Sequence, residues 1–180
     1  MKKLSCYLLI LIAYSCIPYK IAPNIEGEKI IKAKKFKKNL PNFYGFIFED
    51  PKNANEFYNF INAKYNLKHL NVDSNVPISI NNETYYLSFF EREKATETIN
   101  LIPIAVDAGL QSKGNDPIFE DNYTSRKGFW YLVLTVTDTK IKDCLNPNHP
   151  QHGKIVNHLK KLKDEYFSTS NYMEAYLKMK

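Results

Sequence analysis

Phe129-Trp130-Tyr131-Leu132-Val133-Leu134-Thr135-Val136-Thr137-Asp138-Thr139 is the stretch whose reading decides the fold. Aromatic and β-branched side chains fill it, so it predicts a strand over 129–139. Trp130, Leu132, Leu134 and Val136 line one face, while Phe129, Tyr131 and Val133 begin the other. A strand that is apolar on both faces belongs at the centre of a sheet, with cover on both sides.

Other segments supply its neighbours. Phe43–Glu49 is aromatic and β-rich and predicts a strand. Asp50-Pro51 then predicts a helix start, Asp as a cap and Pro at the first helical position. Ala54, Phe57, Tyr58, Ile61 and Tyr65 recur at helical spacing and form an apolar face; Asn55, Asn59, Asn62 and Asn66 make a solvated stripe beside it. Val76–Ile80 and Thr84–Glu91 flank Asn81-Asn82, a pair that tolerates positive φ and predicts a tight hairpin. In Thr98–Val106, the alternation of Ile102, Ile104 and Val106 predicts a further strand, with Pro103 at an edge or bulge. Asp107–Gly128 has no clear period and reads as a long connection of the functional or disordered kind. After Pro150, Ile155, Leu159, Leu162 and Tyr166 form a helical stripe, with Lys160, Lys161, Lys163, Asp164 and Glu165 toward water. Ser168-Thr169-Ser170 interrupts it. Asn171-x-x-Glu174 resembles a cap, with Tyr172, Met173, Tyr176 and Leu177 docking a short last helix. Hairpins plus segregated helices predict an α+β fold. Its sheet is mostly antiparallel, of about four to five strands, with an early helix and C-terminal helices packed on it.

The first sixteen residues carry a different signal. Lys2 and Lys3 precede Leu8-Leu9-Ile10-Leu11-Ile12, then Ala13-Tyr14-Ser15 and Cys16. Charge, apolar run, small residues and a cut describe a secretory signal. Ordinary cleavage after Ala13-x-Ser15 would leave Cys16 free. The apolar run is shorter than the roughly twenty residues a membrane span needs. The signal also resembles the lipobox of bacterial lipoproteins, with Ala13 where that pattern prefers Leu and Tyr14 where it prefers a small residue. The resemblance implies that Cys16 is acylated and becomes the first residue of the mature protein. In signal, tether and aromatic α+β body the chain resembles small lipoproteins of Bacteroidetes type, a resemblance that brings no catalytic motif. The implied organisation is a signal peptide over 1–15, a lipidated cysteine and tether over 16–28, and one globular domain over 29–180. The implied location is the cell membrane or outer membrane, held by lipid at Cys16. Ile17-Pro18-Tyr19-Lys20 lacks the acidic run that marks surface export in such lipoproteins, so the expected face is the periplasm.

Cysteine arithmetic bears on the anchor. Of three cysteines, Cys6 leaves with the signal, so Cys144 stays unpaired if Cys16 is acylated. A Cys16–Cys144 bridge is the rival. Removing 1–15 takes away Lys2 and Lys3 and no acid, so the net charge falls from +6 to +4. Lys29, Lys32, Lys34, Lys35, Lys37 and Lys38 crowd one stretch with no acid among them, and beside an anchor they could lie on anionic headgroups. An exported chain is not expected to meet nucleic acid.

Few residues are grouped for chemistry. Cys144, His149, His152 and His158 come nearest to zinc-ligand spacing, but Pro147 and Pro150 interrupt them. They remain metal candidates only on spacing, and no cofactor motif occurs. Asp107, Asp116, Glu120 and Asp121 share the long connection with Arg126 and make it a candidate ligand or partner loop. No nucleophile elbow or phosphate-cradling glycine loop is present. Tyr85, Tyr86, Phe89, Phe90, Phe129, Trp130 and Tyr131 divide between core and surface, and any sheet face left uncovered would suit an envelope protein or a glycan. Two readings result. One is a lipid-anchored, non-enzymatic binding module; the other is an envelope enzyme using the 107–128 loop, with Asp107 or Glu120 as base.

Overall fold

The computed structural model describes residues 16–169. They form an α+β fold with a mostly antiparallel sheet of six strands and four α-helices. The strands are β1 (Cys16–Lys20), β2 (Lys29–Lys32), β3 (Tyr44–Asp50), β4 (Val76–Ile80), β5 (Glu83–Asn100) and β6 (Thr124–Thr137). The helices are α1 (Ala33–Phe36), α2 (Glu56–Lys64), α3 (Leu101–Gln111) and α4 (His152–Ser168), and a 3-10 turn covers Glu120–Asn122. Strand order is β1-β5-β6-β3-β2, with β4 also paired to β5. The chain divides into two compact units. The first holds the residues up to Asn24 and Glu93–Phe129; the second holds Ile25–Arg92 and the chain from Trp130 onward.

In the second unit, β3 and β6 pair antiparallel with Phe46 opposite Leu134 and Phe48 opposite Leu132. One face of these strands packs with Leu87 and Phe89 of β5, Phe57, Phe60 and Ile61 of α2, and Ile155, Leu159, Leu162 and Tyr166 of α4. The Phe57 ring stands edge-on to Phe89 at 4.9 Å and to Tyr166 at 5.0 Å, geometry that suits the ring quadrupoles. On the other face Tyr131 and Val133 are fully buried. Phe36 of α1 meets Tyr131 at 5.4 Å. Gly45 lets the strands approach there, since a Cβ would stand 2.8 Å from Val133 Cγ1. Burial on both faces over 131–136 is what the sequence pattern predicts.

The hairpin also forms where expected. Asn81 and Asn82 have φ of 52° and 65°, the left-handed pair that matches strand twist in a two-residue turn. Lys163 differs from expectation: it is buried and ion-paired with Glu28, which Lys160 also meets at 3.0 Å. Helix α4 ends at Ser168, and the docking residues expected after it lie outside the described residues.

Two boundaries need correction. Asp50-Pro51 does not open a helix. Asp50 ends β3, its carboxylate accepts the Lys52 N–H at 3.0 Å, and α2 starts only after Asn55 turns left-handed at φ 67°. Nor does a strand run over Thr98–Val106. β5 stops at Asn100, and Leu101–Gln111 is helical. Pro103 sits in the first turn of α3, where no helical partner is needed for the missing N–H. The Ile102–Ile104–Val106 alternation belongs to a helix whose outer side is apolar throughout.

In the first unit, β1 pairs antiparallel with the end of β5, placing Cys16 opposite Asn100 and Ile17 opposite Ile99. Pro18 lacks a donor, which suits an edge strand. Glu97 accepts bonds from Tyr19 Oη at 2.6 Å and Lys20 Nζ at 2.7 Å. The stretch expected as a tether therefore begins as a strand, with residues 21–28 outside regular elements. The expected long loop is likewise divided: it contains the end of α3, the 3-10 turn and the first residues of β6. No helix among the described residues is long and apolar enough to cross a membrane.

Candidate functional site

Alternation along β5 and β6 creates a groove in the second unit. Tyr85, Leu87 and Phe89 point into the core, so Tyr86, Ser88 and Phe90 point the other way; Leu134 and Val136 do likewise, leaving Thr135 and Thr137 opposite them. These outward residues floor an open groove of about 570 Å³ walled by Pro41, Phe43, Asp138 and Ile141, a size typical of ligand sites. Aromatic faces and hydroxyls alternate on its floor. Ser88 Oγ already accepts the Asn75 N–H at 3.0 Å.

The wall at 138–142 is a tight turn. The Asp138 carboxylate accepts the N–H groups of Lys140 and Lys142, each at 2.8 Å. Burial pushes its pKa up, but these bonds outweigh that and hold it below the ordinary value. The turn holds Ile141 at φ 59°, with 73% of its surface exposed. A β-branched residue in the left-handed region is an outlier worth on the order of 1–2 kcal/mol. Here it presents a large apolar side chain at the rim of the groove.

The aromatics divide as follows. Tyr85, Phe89 and Tyr131 are buried, Tyr86, Phe90 and Phe129 are half-buried, and Trp130 is 44% exposed. Sequence alternation alone could have separated Tyr86 and Phe90 from Leu87 and Phe89, but it carried no sign of which face stayed open.

The candidate loop residues have structural duties. Asp107 is buried and accepts three bonds: Ile118 N–H at 3.0 Å, Phe119 N–H at 2.8 Å and Tyr123 Oη at 2.8 Å. Burial raises its pKa, but the three donors reverse the sign and hold it below the usual range; Tyr123 is pushed up to about 12 by its own burial first and then by its bond to Asp107. Arg126 pairs with Glu93 at 2.8 Å and lies 3.9 Å from Glu97. Asp116, Glu120 and Asp121 are exposed.

Cys16 is exposed on β1, with Sγ 3.2 Å from Asn100 Oδ1. Cys144 is fully buried, its thiol pushed up to about 12 mainly by burial, and no disulfide joins it to Cys16. Among the described residues no three His, Cys, Asp or Glu side chains are placed to hold a metal ion. His149 Nδ1 accepts the Gln151 N–H at 3.2 Å, while His152 Nδ1 and His158 Nε2 are buried without a hydrogen-bond partner.

A pair of acids that the sequence did not single out, Asp50 and Glu91, lies in the second unit beside Lys52 and Trp130. Burial raises both pKa values, and the Asp50 charge adds to the rise at Glu91. Asp50 also accepts two contacts from Tyr166 Oη, at 3.1 and 3.0 Å. Glu91 Oε1 is buried without a partner. The crevice between these residues has no room for a water-sized molecule.

No known protein-family model, curated protein or solved structure matches this chain.

The Glu91 environment sets a stability test. A carboxyl whose pKa is higher folded than unfolded holds its proton more tightly in the fold. Its contribution is therefore fully present below the unfolded value, about 4.3, and is lost as pH rises through the folded value. Glu91→Gln should thus gain on the native chain as pH rises, with the smallest difference near pH 4. Urea midpoints at several pH values measure it, and a difference independent of pH would contradict the account.

Proposed function

We propose that this chain is a lipid-anchored protein of a bacterial cell envelope, held at Cys16 and facing the periplasm, that binds rather than catalyses. The observation that carries the anchor reading is the contrast in burial between Cys16 and Cys144. Cys144 is sealed in a core, whereas Cys16 stands exposed directly after an apolar leader, and no bridge joins the two. Acylation gives Cys16 a use that a buried partner thiol does not.

The binding surface in this reading is the β5–β6 groove, and the ligand class is a neutral glycan of the envelope. Phe43, Tyr86 and Phe90 offer ring faces to the apolar side of a sugar; Ser88, Thr135, Thr137 and Asp138 offer hydrogen-bond partners to hydroxyls. The enzyme reading has less support. Asp107 is occupied as an internal acceptor, Arg126 is ion-paired, and the Asp50–Glu91 crevice is closed.

Cells fed an alkyne-bearing fatty acid test the anchor. The native chain should take up the label and sediment with membranes, and Cys16→Ser should lose at least tenfold of both. A Cys16→Ser chain that keeps the label and stays in the membrane would contradict the reading. For the groove, Phe90→Ala should weaken binding of soluble envelope polysaccharide about tenfold, ~1.4 kcal/mol, as read by calorimetric titration. Equal binding by the two chains, or none by the native chain, would remove the groove from the proposal.

A further inference from the structure

Helix α3 of the first unit is unusual for an element facing solvent. Asp107 is its one buried residue and is bound to the 118–123 turn, so that side of the helix faces the unit. The side turned away carries Leu101, Ile102, Ala105, Val106, Ala108 and Gly109, all exposed and none polar. The turn that carries Ile118 and Phe119 is clamped by Asp107 on the opposite side of the helix. An apolar surface of this extent marks a contact with a partner or a membrane.

The position of Cys16 indicates which. Cys16 is in register with Asn100, the residue that immediately precedes α3. Any acyl group on its sulfur would therefore emerge at the start of the apolar helix. The strand pairing of Cys16–Lys20 removes the slack a flexible tether would give. Charge is not what attracts this surface: no charged residue lies on the outer face of α3. Eleven residues of helix span only about 16 Å, about half the thickness of a hydrocarbon core, so the helix would lie along the boundary and not cross it.

We propose that the outer face of α3 is a membrane seat that lies in the headgroup–acyl boundary of the phospholipid bilayer entered by the lipid on Cys16. This rests on the reading of Cys16 as acylated. The contact is apolar, so it persists at high salt.

The test uses the full chain made in a bacterial host and fed the alkyne fatty acid. It carries Trp130→Phe with Val106→Trp, so that position 106 holds the sole indole. The purified protein is mixed with excess vesicles of phosphatidylethanolamine and phosphatidylglycerol, with or without lipids brominated on their acyl chains. The expected result is a blue-shifted emission from position 106, quenched at least twofold by the brominated lipid, in low and high salt alike. Adding Ile102→Asp, at a site already exposed, should abolish most of the quenching while fatty-acid labelling continues. A labelled chain whose reporter is water-exposed and unquenched overturns the seat and leaves the anchor standing. An unlabelled chain that is still quenched overturns the anchor and supports the seat. A reporter that is blue-shifted without vesicles and unaffected by bromine shows that a second copy covers α3, and overturns the seat.

Discussion

Burying both faces of one strand is the constraint on which the second unit depends. Over Tyr131–Val136 every side chain is buried. Leu132, Leu134 and Val136 require the aromatic layer of α2 and α4; Tyr131 and Val133 require α1 and the missing side chain at Gly45. Neither cover suffices by itself, because a one-residue slip in register would exchange the two sets. Pairing with β3 fixes that register, and the ring cluster around Phe57 fixes the position of α2 against α4. Packed rings of this size contribute well beyond the area they bury.

The cover on the second face is incomplete, and that is where binding chemistry can occur. Beyond Val133 the floor changes from large apolar side chains to Thr135, Thr137 and Ser88, with Tyr86 and Phe90 between them. A face that is partly aromatic and partly hydroxylated is neither good core nor ordinary surface. The strained turn that holds Ile141 at the rim adds an apolar group at a conformational cost. Acids elsewhere show the opposite arrangement. Asp107 is surrounded by donors and serves the turn around it, and Glu28 is neutralised by Lys160 and Lys163.

Much of this was legible from residue pattern. The central strand, the Asn81-Asn82 turn, the stripe of α4 and the α+β class all follow from period and turn chemistry, because there local preference and burial agree. Leu101–Gln111 was misread for a physical reason. Its apolar residues are so dense that an alternating subset can always be found, and the usual polar side of an exposed helix is missing. Asp50-Pro51 misled because Asp can satisfy a turn as readily as a helix end. The Asp50–Glu91 pair joins residues 41 positions apart, and no local signal announces it. The role of Asp107 was equally hidden: a carboxylate in an irregular stretch has the same letter whether it serves a substrate or three donors of its own turn.

Under the proposed anchor, an apolar helix and an exposed cysteine have one common explanation, a membrane reached at Cys16. The most direct measurement is mass spectrometry of the N-terminal peptide from protein extracted from membranes. The account predicts a peptide that begins at Cys16 and carries the added mass of a diacylglyceryl group on sulfur and an acyl group on the amine. A peptide that retains residues 1–15, or one that begins at an unmodified Cys16, would contradict it.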